Sequence, residues 1–144
     1  LDEIVLIEQF RVGGVDSPTG PWMTEVVAGI LGVDETPEAV VCRETIEESG
    51  CVLKAVEPVC DFVLSPGGSS ERIFLFCGRI DASQAKEIHG LGVEGEDVRV
   101  MSVGFDQAME WLDQGKPSSA ISIIALQWLA LNRDNLRERW ARAK

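Results

Sequence analysis

Thr36-Pro37 at one end and Gly50 at the other bracket one helix. A threonine side chain can accept from an orphan N–H of the first turn, proline fits the first helical position, and glycine supplies the left-handed residue that ends a helix. The spacing therefore predicts a helix over residues 37–49, with Glu38 favourably placed at its start. Its second half conflicts with helix stability. At 3.6 residues per turn Glu44 and Glu48 share one face, and Glu47 sits beside them. Each adjacent like-charge pair costs roughly 0.2–0.5 kcal/mol, and the macrodipole disfavours anions at the helix end. Hard oxygen ligands clustered on a rigid helix suit Mg²⁺ or Mn²⁺, and conflict of this kind is expected where function overrides folding. The carboxylates read best as metal ligands, although an arbitrary E-x-x-E-E run is more often a solvated acidic face.

Around this helix the chain alternates apolar segments with turn residues. Residues 4–10 read as a mostly buried strand, and residues 11–21, with Gly13-Gly14, Ser17-Pro18 and Gly20-Pro21, as a loop. Residues 24–31 look like a second strand. Residues 52–64 and 72–76 form a pair of strands about the turn Ser65-Pro66-Gly67-Gly68, and residues 81–96, rich in glycine, read as a mobile loop. Residues 98–103 resume as strand, and residues 105–114 read as a short helix. Pro117-Ser118-Ser119 opens a last helix whose stretch 120–131 is apolar nearly all round, so Trp128 and Leu131 are expected in the core. Strands outnumber helices without strict βαβ alternation, which implies a layered α/β fold with a mixed sheet.

Composition narrows the function. The 144 residues suit one domain with a real core. Thirteen basic against 24 acidic side chains give a formal charge of −11, opposite in sign to the face a nucleic-acid binder needs. Five of the basic residues crowd positions 133–144, leaving 8 against 22 in residues 1–132, so an anionic ligand of the main body needs bound cations. Cys42, Cys51, Cys60 and Cys77 show no C-x-x-C spacing and read as reduced core thiols. No signal peptide or membrane-spanning run is evident, so a cytoplasmic protein is expected. The chain opens on Leu1, directly before a strand, which suggests that an N-terminal segment precedes residues 1–144.

Gly29, Glu35, Arg43, Glu44, Glu47, Glu48 and Gly50 fall at the offsets of G-x5-E-x7-R-E-U-x-E-E-x-G-U, with Thr45 and Cys51 at the apolar positions. This resembles the Nudix box. At about 7% usage per residue type, seven accidental matches occur on the order of 10⁻⁸ per window. The likeness runs from about Glu8 to Leu131 and is nearest the ADP-ribose pyrophosphatases of that family, through Glu8-Gln9-Phe10-Arg11, Val27-Ala28-Gly29, Pro66 at 15 residues beyond Cys51, Glu71, and Glu94-Gly95-Glu96-Asp97.

The resemblance implies a Nudix fold, an α/β/α sandwich with a mixed β-sheet. It implies metal ligation by the Ala28 carbonyl, Glu44, Glu48 and Glu96, with Glu47 adjoining and Arg43 orienting a carboxylate. Arg11, Ile30, Ser65, Pro66, Gly67 and Glu71 match positions that contact the nucleotide or terminal ribose, and Glu94 matches the general base. His89, a lone loop histidine, is assigned no role. The implied activity is hydrolysis of ADP-ribose to AMP and ribose 5-phosphate, extending to other ADP-sugars, with Mg²⁺ as cofactor and Mn²⁺ as its substitute. A homodimer is implied, acting on a small nucleotide sugar without nucleic acid or membrane. The alternatives are a hydrolase of another nucleoside diphosphate sugar and a non-catalytic nucleotide-sugar-binding module. The latter commonly loses box carboxylates, all of which are present.

Overall fold

The strand Glu3–Phe10 (β1) carries Leu6 and Ile7, adjacent residues that point to opposite faces and are both fully buried. A strand covered on both sides belongs in the middle of a sheet. In the computed structural model, which describes residues 2–85, 88–89 and 98–142, β1 lies between β2 (Trp22–Glu25) and β6 (Val98–Gly104), and β5 (Ile88–His89) adds to β6. Ile7 stands opposite Glu25 on one side and Val100 on the other. The helix Pro37–Ser49 (α1) packs on β1, β5 and β6, and the helix Phe105–Asp113 (α2) on β1, β6 and the long helix Ala120–Arg142 (α3). The chain thus has the layered α/β arrangement expected. Every strand pair among the described residues is antiparallel, where a mixed sheet was expected.

The strands β3 (Ala55–Val63) and β4 (Arg72–Arg79) form a separate hairpin. Its register shifts between Pro58 and Cys60, where proline has no N–H to give to the ladder. The base of this hairpin is fastened to the end of α3. Arg139 and the Trp140 indole N–H each donate to Glu57 at 2.6 Å, and Arg79 donates to the Trp140 carbonyl at 3.0 Å. The start of the chain is tied to the same helix through Arg133, which bonds Asp2 and lies 3.8 Å over the Phe105 ring.

Helix α1 has the predicted bounds. Thr36 Oγ1 accepts from the Ala39 N–H, Pro37 is the first helical residue, and Gly50 takes φ 70°, with its N–H on the Ile46 carbonyl. The strand expected over residues 24–31 ends at Glu25. Beyond it, Val26 N–H donates to Ser122 Oγ, Ala28 N–H to Glu48 and Gly32 N–H to Glu35, so side chains have taken donors that a ladder would need. Of the expected loop over residues 81–96, the described part contains a 3-10 turn at Ala82–Gln84 and β5; residues 86–87 and 90–97 lie outside it.

Leu131 is not in the core. Helix α3 continues to Arg142 and buries only the side carrying Ser122, Leu126 and Leu136, leaving Leu131 84% exposed and Trp128 half-buried. The cysteines are free, but only Cys51 is fully buried; Cys77 is half-buried, and Cys42 and Cys60 are exposed. Burial, then the nearby Glu57 carboxylate, pushes the Cys77 thiol up to about 11. Among the described residues no helix is long and apolar enough to cross a membrane.

Glu57 is held below its ordinary 4.5, chiefly by its bond from Arg139 and further by the bond from Trp140. A depressed carboxylate stabilises the fold above its unfolded pKa, and that contribution is lost as pH falls through the lowered folded value. Glu57→Gln should therefore be less stable than the parent at pH 7, with the gap narrowing below pH 4.5. Urea unfolding of both proteins across pH measures this; a gap independent of pH contradicts it.

Candidate active site

The carboxylates of α1 are organised by one guanidinium. Arg43 donates to both oxygens of Glu35, from Nε at 3.2 Å and from NH2 at 3.3 Å. Its NH1 donates to Glu44 at 2.7 Å and to Glu47 at 3.0 Å. Glu44 and Glu47 of the helix, and Glu35 just before it, are thereby held about a shared cation. The bonds to Glu35 and then Glu47 lift the Arg43 pKa still further above its ordinary value. Glu35 is lowered, first by the Gly32 N–H and then by Arg43.

The loop after β2 closes on the same helix. Glu48, only 5% exposed, accepts from Ala28 N–H at 3.2 Å, which compensates a carboxylate buried near the unfavourable end of the dipole. Gly29, next in sequence, lies against Glu44: a Cβ built there would overlap the Glu44 carboxylate. This is a reason for glycine that spacing alone does not reveal. Glu35 is likewise one residue whose partner the sequence did not name; its position just before the N-cap lets it reach back to Gly32 and across to Arg43.

The remaining predicted residues occupy other parts of the surface. Arg11 follows β1, and its Nε donates to Glu25 at 2.7 Å with the side chain 44% exposed. Ile30 projects from the loop after Gly29 and is 89% exposed. Ser65, Pro66 and Gly67 form the tip of the hairpin, where the Ser65 carbonyl accepts from Gly68 and Ser69. Glu71 closes that turn: its carbonyl accepts from Leu64 N–H and its own N–H donates to Ser69 Oγ. All four are exposed. Glu94 and Glu96 lie outside the described residues.

No family model matches the chain. Individual proteins do. The ADP-ribose pyrophosphatase of Escherichia coli K12 is 47% identical over 140 residues, covering 97% of this chain and 67% of that protein. The ADP-ribose pyrophosphatase of Haemophilus influenzae is 42% identical over 145 residues, covering 99% and 67%. A GDP-mannose pyrophosphatase of Cronobacter sakazakii is 41% identical over 130 residues, covering 89% and 66%. Among solved structures, an ADP compounds hydrolase superposes with a TM-score of 0.73 at 18% identity, over 96% of this chain and 68% of that one. The chain belongs to the ADP-ribose pyrophosphatase family of Nudix hydrolases.

The donor set fits a hard divalent cation. Glu44 and Glu48 come from successive turns of one helix and both meet the Ala28-Gly29 backbone, Glu48 through the Ala28 N–H and Glu44 against the Gly29 Cα, so two carboxylates stand beside one stretch of loop. Among the described residues no three His, Cys, Asp or Glu side chains already stand as a metal site; Glu44 and Glu47 accept from Arg43. A methyl group at residue 29 displaces the Glu44 carboxylate, a flexible group, rather than backbone. If a divalent cation binds beside Glu44, Gly29→Ala should leave the unfolding midpoint nearly unchanged while weakening the binding of that cation by about ten- to a hundredfold in a calorimetric titration. Unaltered cation affinity would place the binding away from Gly29.

Proposed function

We propose that residues 1–144 form the catalytic domain of a Mg²⁺-dependent hydrolase that cleaves the pyrophosphate bond of ADP-ribose. Water adds to one phosphorus, the bridging P–O bond breaks, and AMP and ribose 5-phosphate leave. The observation that carries this reading is the acidic face of α1 assembled about Arg43 and the Ala28-Gly29 backbone, in a chain 47% identical to a protein named ADP-ribose pyrophosphatase.

In this reading Ala28, through its carbonyl, Glu44, Glu48 and Glu96 hold the metal, with Mn²⁺ as an alternative to Mg²⁺. Bound there, the metal supplies the positive charge that a diphosphate requires in so acidic a surface and acidifies water. Arg43 sets the orientation of Glu44 and Glu47 by charged hydrogen bonds. Arg11 and Ile30, with Ser65, Pro66, Gly67 and Glu71 of the hairpin tip, bind the nucleotide and terminal ribose. Glu94 removes the proton of the attacking water. The relatives named GDP-mannose pyrophosphatase support a second substrate, another nucleoside diphosphate sugar. We also propose a homodimer, following the subfamily resemblance, and a cytoplasmic setting, which four free cysteines suit.

Turnover of a panel containing ADP-ribose and GDP-mannose, titrated with Mg²⁺, tests the assignment. Glu44→Gln and Glu48→Gln should nearly abolish activity at every Mg²⁺ concentration. Glu94→Gln should lower kcat by about 10²- to 10⁴-fold with its Mg²⁺ requirement unchanged, and Glu96→Gln should raise that requirement. If Mg²⁺ rescues Glu94→Gln but not Glu96→Gln, those two roles are exchanged; if the parent hydrolyses neither substrate, the proposal fails.

A further inference from the structure

Gln9, in β1, is 7% exposed, and its Nε2 has no hydrogen-bond partner. A buried amide donor without an acceptor is costly, so its retention calls for a partner that arrives from outside. The strand register shows where such a partner would sit. Gln9 stands opposite Met23 and Ile7 opposite Glu25, while Arg11 N–H extends the ladder by donating to the Pro21 carbonyl at 2.7 Å. Residues two apart on a strand share a face, so Gln9 lies on the same side of the sheet as Arg11 and Glu25. The Arg11 guanidinium reaches back along this face to Glu25, passing the row that Gln9 occupies. Ile7 and Met23, the adjoining residues of that face, offer no oxygen to the amide.

We propose that Gln9 is a substrate-binding residue whose side-chain amide donates to an acceptor oxygen of the bound nucleoside diphosphate sugar, next to the group held by Arg11. This rests on the hydrolase reading above. A diphosphate or ribose presents acceptor oxygens in abundance, and a neutral amide can meet them without adding charge to the acidic surface. The amide is orphaned in the free protein and satisfied in the complex.

Gln9→Met and Gln9→Leu keep most of the volume and remove the donor. With ADP-ribose at saturating Mg²⁺, both should raise KM about tenfold with kcat within about twofold of the parent, the pattern of lost binding that is equal in ground and transition states. Thermal unfolding without substrate should show Tm unchanged or raised in both, because an unsatisfied buried donor has been replaced by apolar atoms. Unchanged KM in the folded variants overturns the proposal. So does a lowered Tm in both, which would mean that the amide is already paired in the free protein. If the parent cleaves ADP-ribose while the variants keep its KM, the inference alone falls; if the parent cleaves neither ADP-ribose nor GDP-mannose, the hydrolase reading falls and the inference with it.

Discussion

The contact of Arg43 with Glu35, Glu44 and Glu47 is the constraint around which the site is built. Three carboxylates share one guanidinium, and Glu48 adds a fourth on the same helix, so the cluster stays anionic after these contacts are made. Residues 1–132 add to this, with 22 acidic against 8 basic side chains. A diphosphate approaching such a surface is repelled unless cations intervene. The single arginine keeps Glu44 and Glu47 in place without neutralising the face, which leaves the remaining charge to be met by metal.

The scaffold serves this cluster from two directions. Strand β1, with Leu6 and Ile7 buried on its two faces, fixes the sheet against which α1 packs and carries Gln9 near its end, with Arg11 directly after it. The loop leaving β2 turns its backbone toward α1 instead of continuing as strand, and so delivers Ala28 and Gly29 to Glu48 and Glu44. The hairpin β3 and β4 stands apart from that sheet, with its base fixed by Glu57 and its Ser65 turn exposed. A rigid base with an exposed tip suits a segment that contacts ligand.

Much of this was legible in the sequence because it is local. The bounds of α1 follow from Thr36, Pro37 and Gly50, and the hairpin from a proline-glycine turn between apolar runs. The features that escaped depend on residues distant in sequence. Residues 26–31 have a strand-like composition, but Ser122, 96 positions away, takes the Val26 donor, and Glu48 takes that of Ala28. Leu131 belongs to an apolar stretch, yet which side of α3 is covered depends on elements such as α2 that pack on it, and Leu131 is on the other. The box spacing marked Glu35 and Gly29 as special without disclosing that one grips Arg43 and the other makes room for Glu44.

The central claim is that Arg43 supplies, in the metal-free protein, part of the positive charge that a bound divalent cation completes. Thermal unfolding of the parent and of Arg43→Gln, each in EDTA and in excess Mg²⁺, tests it most directly. The account predicts that the substitution lowers Tm in EDTA, where Glu44 and Glu47 lose their shared cation, and that Mg²⁺ raises Tm by more in the variant than in the parent. An equal loss of Tm with and without Mg²⁺, or no loss in EDTA, would contradict it.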